Sequence, residues 1–223
     1  MSKCVNPITA IIDSGIGGVS VLKQIIEKYQ AGNFIYFADN NNMPYGNKTK
    51  DWLINHLNKI ITFLKENYDV DFIVIACNTA SSAIRENQLE NVILMEFDNT
   101  LQYYATRTTK QNMKHINVIA DKTLAKQIEK HIFNNTQLNK IVKNHIKKHK
   151  LDKLKEIVLG CTHYELVKEI FKKYCPNTHI LANSQFMLNK INISIKSNEL
   201  NLVVLTSKED NSLKNKIHKL IRS

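Results

Sequence analysis

Two cysteines stand in matching surroundings. Ile73-Val74-Ile75-Ala76 leads into Cys77, with Asn78-Thr79-Ala80-Ser81 behind it, and Ile157-Val158-Leu159-Gly160 leads into Cys161, with Thr162-His163-Tyr164 behind it. An apolar run closed by polar residues reads as a buried parallel strand. Each sulfur is then expected at the carboxyl end of a strand, where open α/β sheets collect ligands. It also precedes a helix, whose N-terminus favours the thiolate. Three chemistries fit. One nucleophilic cysteine paired with His163 would give acyl transfer. Cys161, His163 and Cys77 together could hold zinc. Two thiols could act symmetrically, one thiolate removing a Cα proton from an amino acid while the other thiol protonates the opposite face. Against all three stands the bland reading, in which strand-end cysteines are small buried residues.

A third segment belongs with them. Ile8-Thr9-Ala10-Ile11-Ile12 ends in Asp13-Ser14-Gly15-Ile16-Gly17-Gly18 and then a helix to about Tyr29. The glycines let backbone approach a ligand. Their spacing is not G-x-G-x-x-G and no Walker lysine follows, so no nucleotide or other cofactor site is expected. Asp13 would suit a substrate ammonium or acid–base work, or cap the helix. Asn33-Phe34-Ile35-Tyr36-Phe37-Ala38 is a second strand, and the loop after it holds Tyr45 between Pro44 and Gly46.

The remaining elements must position these groups. Residues 48–68 read as a helix, with Trp52 and His56 taken as packing and surface residues, and 91–95 as a fourth strand. Residues 96–109 read as a linker with a helix, and 115–120 as a further strand. Helices are expected over 123–133 and the lysine-rich 140–155, and from Cys161 to about Tyr174. A short strand follows at 178–181, then a last strand at 200–205 and a helix at 211–221. Strands alternating with helices give an α/β fold with mainly parallel sheets. Two similar α/β domains are expected, one of residues 1–96 plus 207–223 and one of 97–206, with the active site in the cleft between them.

Composition narrows the function classes. With 43% hydrophobic residues and three prolines among 223 residues, the chain suits a globular protein. No apolar run is long enough to cross a bilayer. Met1-Ser2-Lys3-Cys4 lacks a signal peptide's apolar stretch, so a cytoplasmic protein with reduced cysteines is expected, with no membrane partner. No Cys-x-x-Cys is present. The net charge of +11 is concentrated in 140–155, where seven lysines carry no aromatic for base stacking. A solvated helix face is expected there rather than a nucleic-acid site. The positive field would favour a small anionic substrate.

The segments Asp13-Ser14-Gly15-Ile16-Gly17-Gly18, Asn42-Met43-Pro44-Tyr45-Gly46, Ala76-Cys77-Asn78-Thr79-Ala80-Ser81 and Gly160-Cys161-Thr162-His163-Tyr164 together resemble the signatures of the glutamate racemase family, in the family's order. The resemblance implies cofactor-independent interconversion of L- and D-glutamate, the D form serving peptidoglycan, in a protein that commonly forms homodimers. It implies Cys77 and Cys161 as the catalytic pair, assisted by Asp13 and His163. Ser14, Tyr45, Gly46, Asn78, Thr79 and Thr162, with Asp13 and His163, match substrate-contacting positions. The chain departs from the family at Glu165, where proline is usual. It departs also at Glu96-Phe97-Asp98-Asn99, at Asp121-Lys122-Thr123-Leu124, and in a shortened 123–155 stretch. Sequence alone assigns no position to the acidic residue the family carries before its second cysteine. These departures leave open an aspartate or other amino-acid racemase, or a non-catalytic amino-acid-binding protein that kept the pocket.

Overall fold

The computed structural model describes residues 7–84, 92–94, 119, 121, 123–182, 184, 188 and 191–222. The expected linker at 96–109 lies outside these residues, as does nearly all of the expected strand at 115–120.

The first sheet has five parallel strands. They are β1 (Ile8–Asp13), β2 (Gly32–Ala38), β3 (Val70–Ile75), β4 (Val92–Leu94) and β7 (Leu200–Thr206), in the order β4-β3-β1-β2-β7. Their residues alternate between two cores. Ala10, Ile12, Ile35, Phe37, Ile73 and Ile75 face α2 (Lys50–Tyr68) and α3 (Asn78–Ile84). Ile11, Phe34, Tyr36 and Val74 face the other way, against α1 (Val19–Tyr29) and α8 (Asn211–Arg222). A sheet covered on both faces needs strands apolar at every position, which is why these runs read as continuous. The chain leaves β1 for β2 on one side and later returns to place β3 on the other. The crevice at this reversal lies beyond the carboxyl ends of β1 and β3, where Asp13 and Cys77 stand.

Helix α2 shows how local rules and packing agree. The Thr49 side chain accepts the Trp52 N–H at its start, and Asp69 takes the left-handed conformation at its end. Leu53, Leu57, Ile60, Ile61 and Leu64 form its buried stripe, each worth about 1.5–3 kcal/mol when taken out of water.

The second unit is smaller. Strands β5 (Glu156–Leu159) and β6 (His179–Ala182) pair in parallel, packed among α4 (Leu124–His131), α5 (Asn135–His149), α6 (Thr162–Glu165) and α7 (Lys168–Tyr174). The expected helix from Cys161 to Tyr174 is two helices, interrupted where Val167 leaves helical geometry with its side chain buried. All seven lysines between 140 and 155 are exposed, while Leu138, Val142, His145 and Ile146 face inward, so the lysine run is a solvated face. Among the described residues no helix is long and apolar enough to cross a membrane.

One expectation needs correction. The sequence reading places residues 200–206 in the second domain, yet β7 pairs with β2 along its whole length, from Gly32–Leu200 to Ala38–Thr206. Strand order follows hydrogen bonding at the sheet edge, which sequence periodicity does not encode. Glu165, where the resemblance implies proline, is buried, and its carboxylate accepts the Ser184 N–H at 3.0 Å and the Ser184 hydroxyl. The Ser184 hydroxyl also accepts from Gln24 of α1, so this buried charge is hydrogen-bonded.

Candidate active site

Cys77 follows β3 by two residues and Cys161 follows β5 by two, capping α6. Both sulfurs line one cavity of about 170 Å³. That is well below the roughly 300–1,000 Å³ of a drug-sized pocket, so it suits a small metabolite. Ser14, Tyr45, Gly46, Asn78, Thr79, Thr162 and His163 line it too, gathering residues from four separate stretches of the chain.

Asp13 is the exception among the expected substrate contacts. It is fully buried, lies behind the wall, and is not a lining residue. One carboxylate oxygen accepts the Gly15 N–H at 2.9 Å and the other the Thr162 hydroxyl at 3.2 Å. It does not cap α1, whose N-cap is Gly18 without a side-chain bond. Burial raises its pKa, against the pull of His163 and the two hydrogen bonds.

Gly17 and Gly18 make this approach possible. A Cβ on Gly17 would collide with Thr162 Oγ1 and the His163 ring, and one on Gly18 would lie 2.7 Å from Asp13 Cβ. The loop is pinned from below by the Tyr36 hydroxyl, which donates to the Gly15 carbonyl at 2.7 Å.

The two sulfurs differ in surroundings. Burial and then the neighbouring Asp13 charge push the Cys77 thiol up to about 12, although the Ala80 N–H and the Ser14 hydroxyl favour its thiolate. Cys161 is partly exposed and hydrogen-bonded to His163. His163 is itself buried, with Nε2 2.7 Å from Glu129 Oε2. Burial alone would lower the imidazole pKa, but the bonds to Cys161 and Glu129 and the charges of Cys161 and Asp13 raise it to about 10. At neutral pH His163 is therefore an imidazolium. The Cys161 sulfur thus has a cation for its hydrogen-bond partner.

Glu129 was not identified from the sequence. It lies on α4, a buried-face neighbour of Ile128, and its carboxylate also accepts the Ile16 N–H at 3.3 Å. It ties the second unit to the glycine loop of the first. Its only sequence signal is an acid on a short amphipathic helix, which surface helices share.

Asp39 was also missed. It is fully buried one residue beyond β2. Its carboxylate accepts the Tyr45 hydroxyl at 2.6 Å and Asn42 Nδ2 at 2.9 Å, and His56 Nε2 lies 2.7 Å away. Burial would raise its pKa, but hydrogen bonds from Ser207, Tyr45, Asn42 and His56 hold it below the usual carboxylate value. His56, read as a surface residue, is stacked on Trp52 with ring centroids 4.4 Å apart. Tyr45 thus turns its hydroxyl into Asp39, and the 44–46 turn is fixed against the cavity.

Comparison with known proteins gives one consistent result. No family model matches the chain. It is 29% identical to the glutamate racemase of Clostridium acetobutylicum over 258 aligned residues, covering 99% of both chains. It is 31% identical to the glutamate racemase of Buchnera aphidicola subsp. Schizaphis graminum, covering 81% of this chain and 82% of that one. Its fold matches the crystal structure of glutamate racemase from Campylobacter jejuni with a TM-score of 0.74 and 25% identity, over 96% of this chain and 98% of that one.

Proposed function

Since the chain belongs to the glutamate racemase family, we propose that it interconverts L- and D-glutamate by moving a proton between two cysteines. The observation that carries this reading is the placing of Cys77 and Cys161 on the walls of one small cavity, each with its own ionisable helper. Cys161 removes the Cα proton of the L enantiomer, and Cys77 removes that of the D enantiomer. With L-glutamate bound, Cys161 is the thiolate base, and Cys77, a thiol at neutral pH, returns a proton to the opposite face.

Asp13 acts on Cys77 through its charge, from behind the wall. His163, held by Glu129, stabilises the Cys161 thiolate. The hydroxyls of Ser14 and Thr79 and the Asn78 amide bind the substrate carboxylates and hold the developing negative charge at Cα, while the Thr162 hydroxyl, donated to Asp13, lines the site. Fixing Cα between the sulfurs supplies orientation, worth about 7–11 kcal/mol in favourable systems. No cofactor takes part in these steps. We further propose two domains meeting at the cavity, a cytoplasmic location, a homodimer, and use of the product in the cell wall.

Circular dichroism of purified protein with L- and D-glutamate, and separately with L- and D-aspartate, tests the reading. Decay of the glutamate signal toward zero from both enantiomers is expected. Glutamate binding without decay makes the chain a binding protein, and decay of aspartate alone makes it an aspartate racemase.

A further inference from the structure

We infer that Asp121, His145 and His149 form a binding site for one divalent transition-metal ion of the zinc class, on the outer wall of the cavity. One carboxylate oxygen and one nitrogen from each imidazole lie within 4.8 Å of one another. His145 and His149 are one helical turn apart on α5, so their side chains share a face. Their ring centroids are 4.7 Å apart and tilted by 52°, converging rather than stacked.

Two further observations point to a ligand. His149 Nε2 is buried and has no hydrogen-bond partner among the described residues, a state that costs free energy unless something occupies the nitrogen. Asp121 divides its two oxygens. Oδ1 accepts the Thr123 N–H, the Thr123 hydroxyl and the Leu124 N–H, at 2.8, 2.8 and 3.1 Å. Oδ2 is left facing His145 Nδ1 at 3.2 Å. The carboxylate is thus held by the start of α4 while its second oxygen remains available, the arrangement that orients metal-binding carboxylates.

Two imidazoles and a carboxylate select zinc-class ions over magnesium or calcium, which prefer all-oxygen sites. With metal–nitrogen bonds of about 2.0–2.1 Å, tetrahedral ligand atoms stand about 3.3 Å apart. The three must therefore close by up to about 1.5 Å, within reach of side-chain rotation, and water completes the sphere. The lysines of α5 are exposed, where solvent screens their charge. The ion takes no part in proton transfer. It clips α5 to the segment that starts α4, the helix carrying Glu129.

Cobalt titration of untagged protein with Cys77→Ser and Cys161→Ser, which removes the cavity thiols, tests the site. One cobalt per chain is expected, with visible d–d bands, no sulfur-to-metal charge-transfer band, and a raised thermal midpoint. Adding His149→Gln is expected to weaken binding roughly tenfold or more, with the far-ultraviolet spectrum unchanged. His145→Asn, the second variant, should weaken it likewise and decides the matter if His149→Gln unfolds. Absence of cobalt binding, a charge-transfer band, or native-like affinity in the folded variants overturns the inference. Racemisation plays no part in this readout.

Discussion

The Cys77 and Cys161 half-sites are written almost alike and are built differently. Cys77 follows a central strand of a five-stranded sheet, sealed by Ser14 and Ala80 with the Asp13 carboxylate behind it. Cys161 follows the edge of a two-stranded sheet, partly exposed, beside the His163 imidazolium and its Glu129 partner. One sulfur is surrounded by negative charge and burial, the other by a cation. The difference teaches that two strand-end cysteines in like sequence settings can be given unlike surroundings by the fold. Burial and the Asp13 charge favour the thiol at Cys77, whereas the proposed mechanism gives Cys161, beside the His163 cation, the L enantiomer's proton.

Four tests probe the difference, beginning with the sulfurs. Cys77→Ser and Cys161→Ser each replace a thiol by a far weaker acid and base. Each is expected to cut racemisation by roughly 10²–10⁴-fold, the worth of a general acid or base, in a circular dichroism assay. A variant that racemises at the native rate would remove its cysteine from the mechanism.

Glu129→Gln comes next. It takes the negative partner from His163 and leaves the Cys77 side intact. A loss of about ten- to a hundredfold is expected, smaller than for a lost acid–base group, and a shift of the basic limb of the pH–rate profile to lower pH. An unshifted profile would mean that Glu129 only packs α4 against the glycine loop.

Asp39→Asn tests the turn that walls the cavity. It disturbs the hydrogen bonds shared with Tyr45 and His56, and a cost of about 1–3 kcal/mol in urea denaturation is expected for a buried network left partly unpaired. KM for glutamate should rise several-fold with little change in kcat, because Asp39 lies outside the cavity. A fall in kcat alone would contradict this.

The smallest effect is on stability against pH. The native His163 pKa, about 10, lies above the ordinary 6.5. Its stabilising contribution is therefore complete below about pH 6.5 and fades as pH rises toward 10, because the unfolded chain releases the proton first. Between about pH 6 and pH 8.5, below the range where Cys77 adds a slope of the same sign, native protein should lose more stability than His163→Asn. Equal slopes would place the positive charge elsewhere.

Sequence rules reached the α/β class and most elements because fully buried strands leave continuous apolar runs, as at 8–12 and 73–76. The cavity's own residues were legible because glycine, cysteine and hydroxyl residues cluster just after those runs. What lay behind the wall was not. Asp39 and Glu129 act through side chains that meet partners far along the chain, Glu129 reaching His163 34 residues on, and neither has a local pattern. His56 read as a surface residue because only the packed fold brings it to Asp39, 17 positions earlier. The placement of β7 was misjudged for the same reason.

The central claim is that the two sulfurs serve opposite faces of one Cα, and directional proton removal tests it most directly. A glutamate analogue with a β leaving group eliminates irreversibly once its Cα proton is taken, so single deprotonations can be counted. Both enantiomers are offered to Cys77→Ser and to Cys161→Ser, giving four elimination rates. With Cys77→Ser the remaining Cys161 should process the L analogue and leave the D analogue. With Cys161→Ser the preference should reverse. Both variants favouring the same enantiomer would contradict the account.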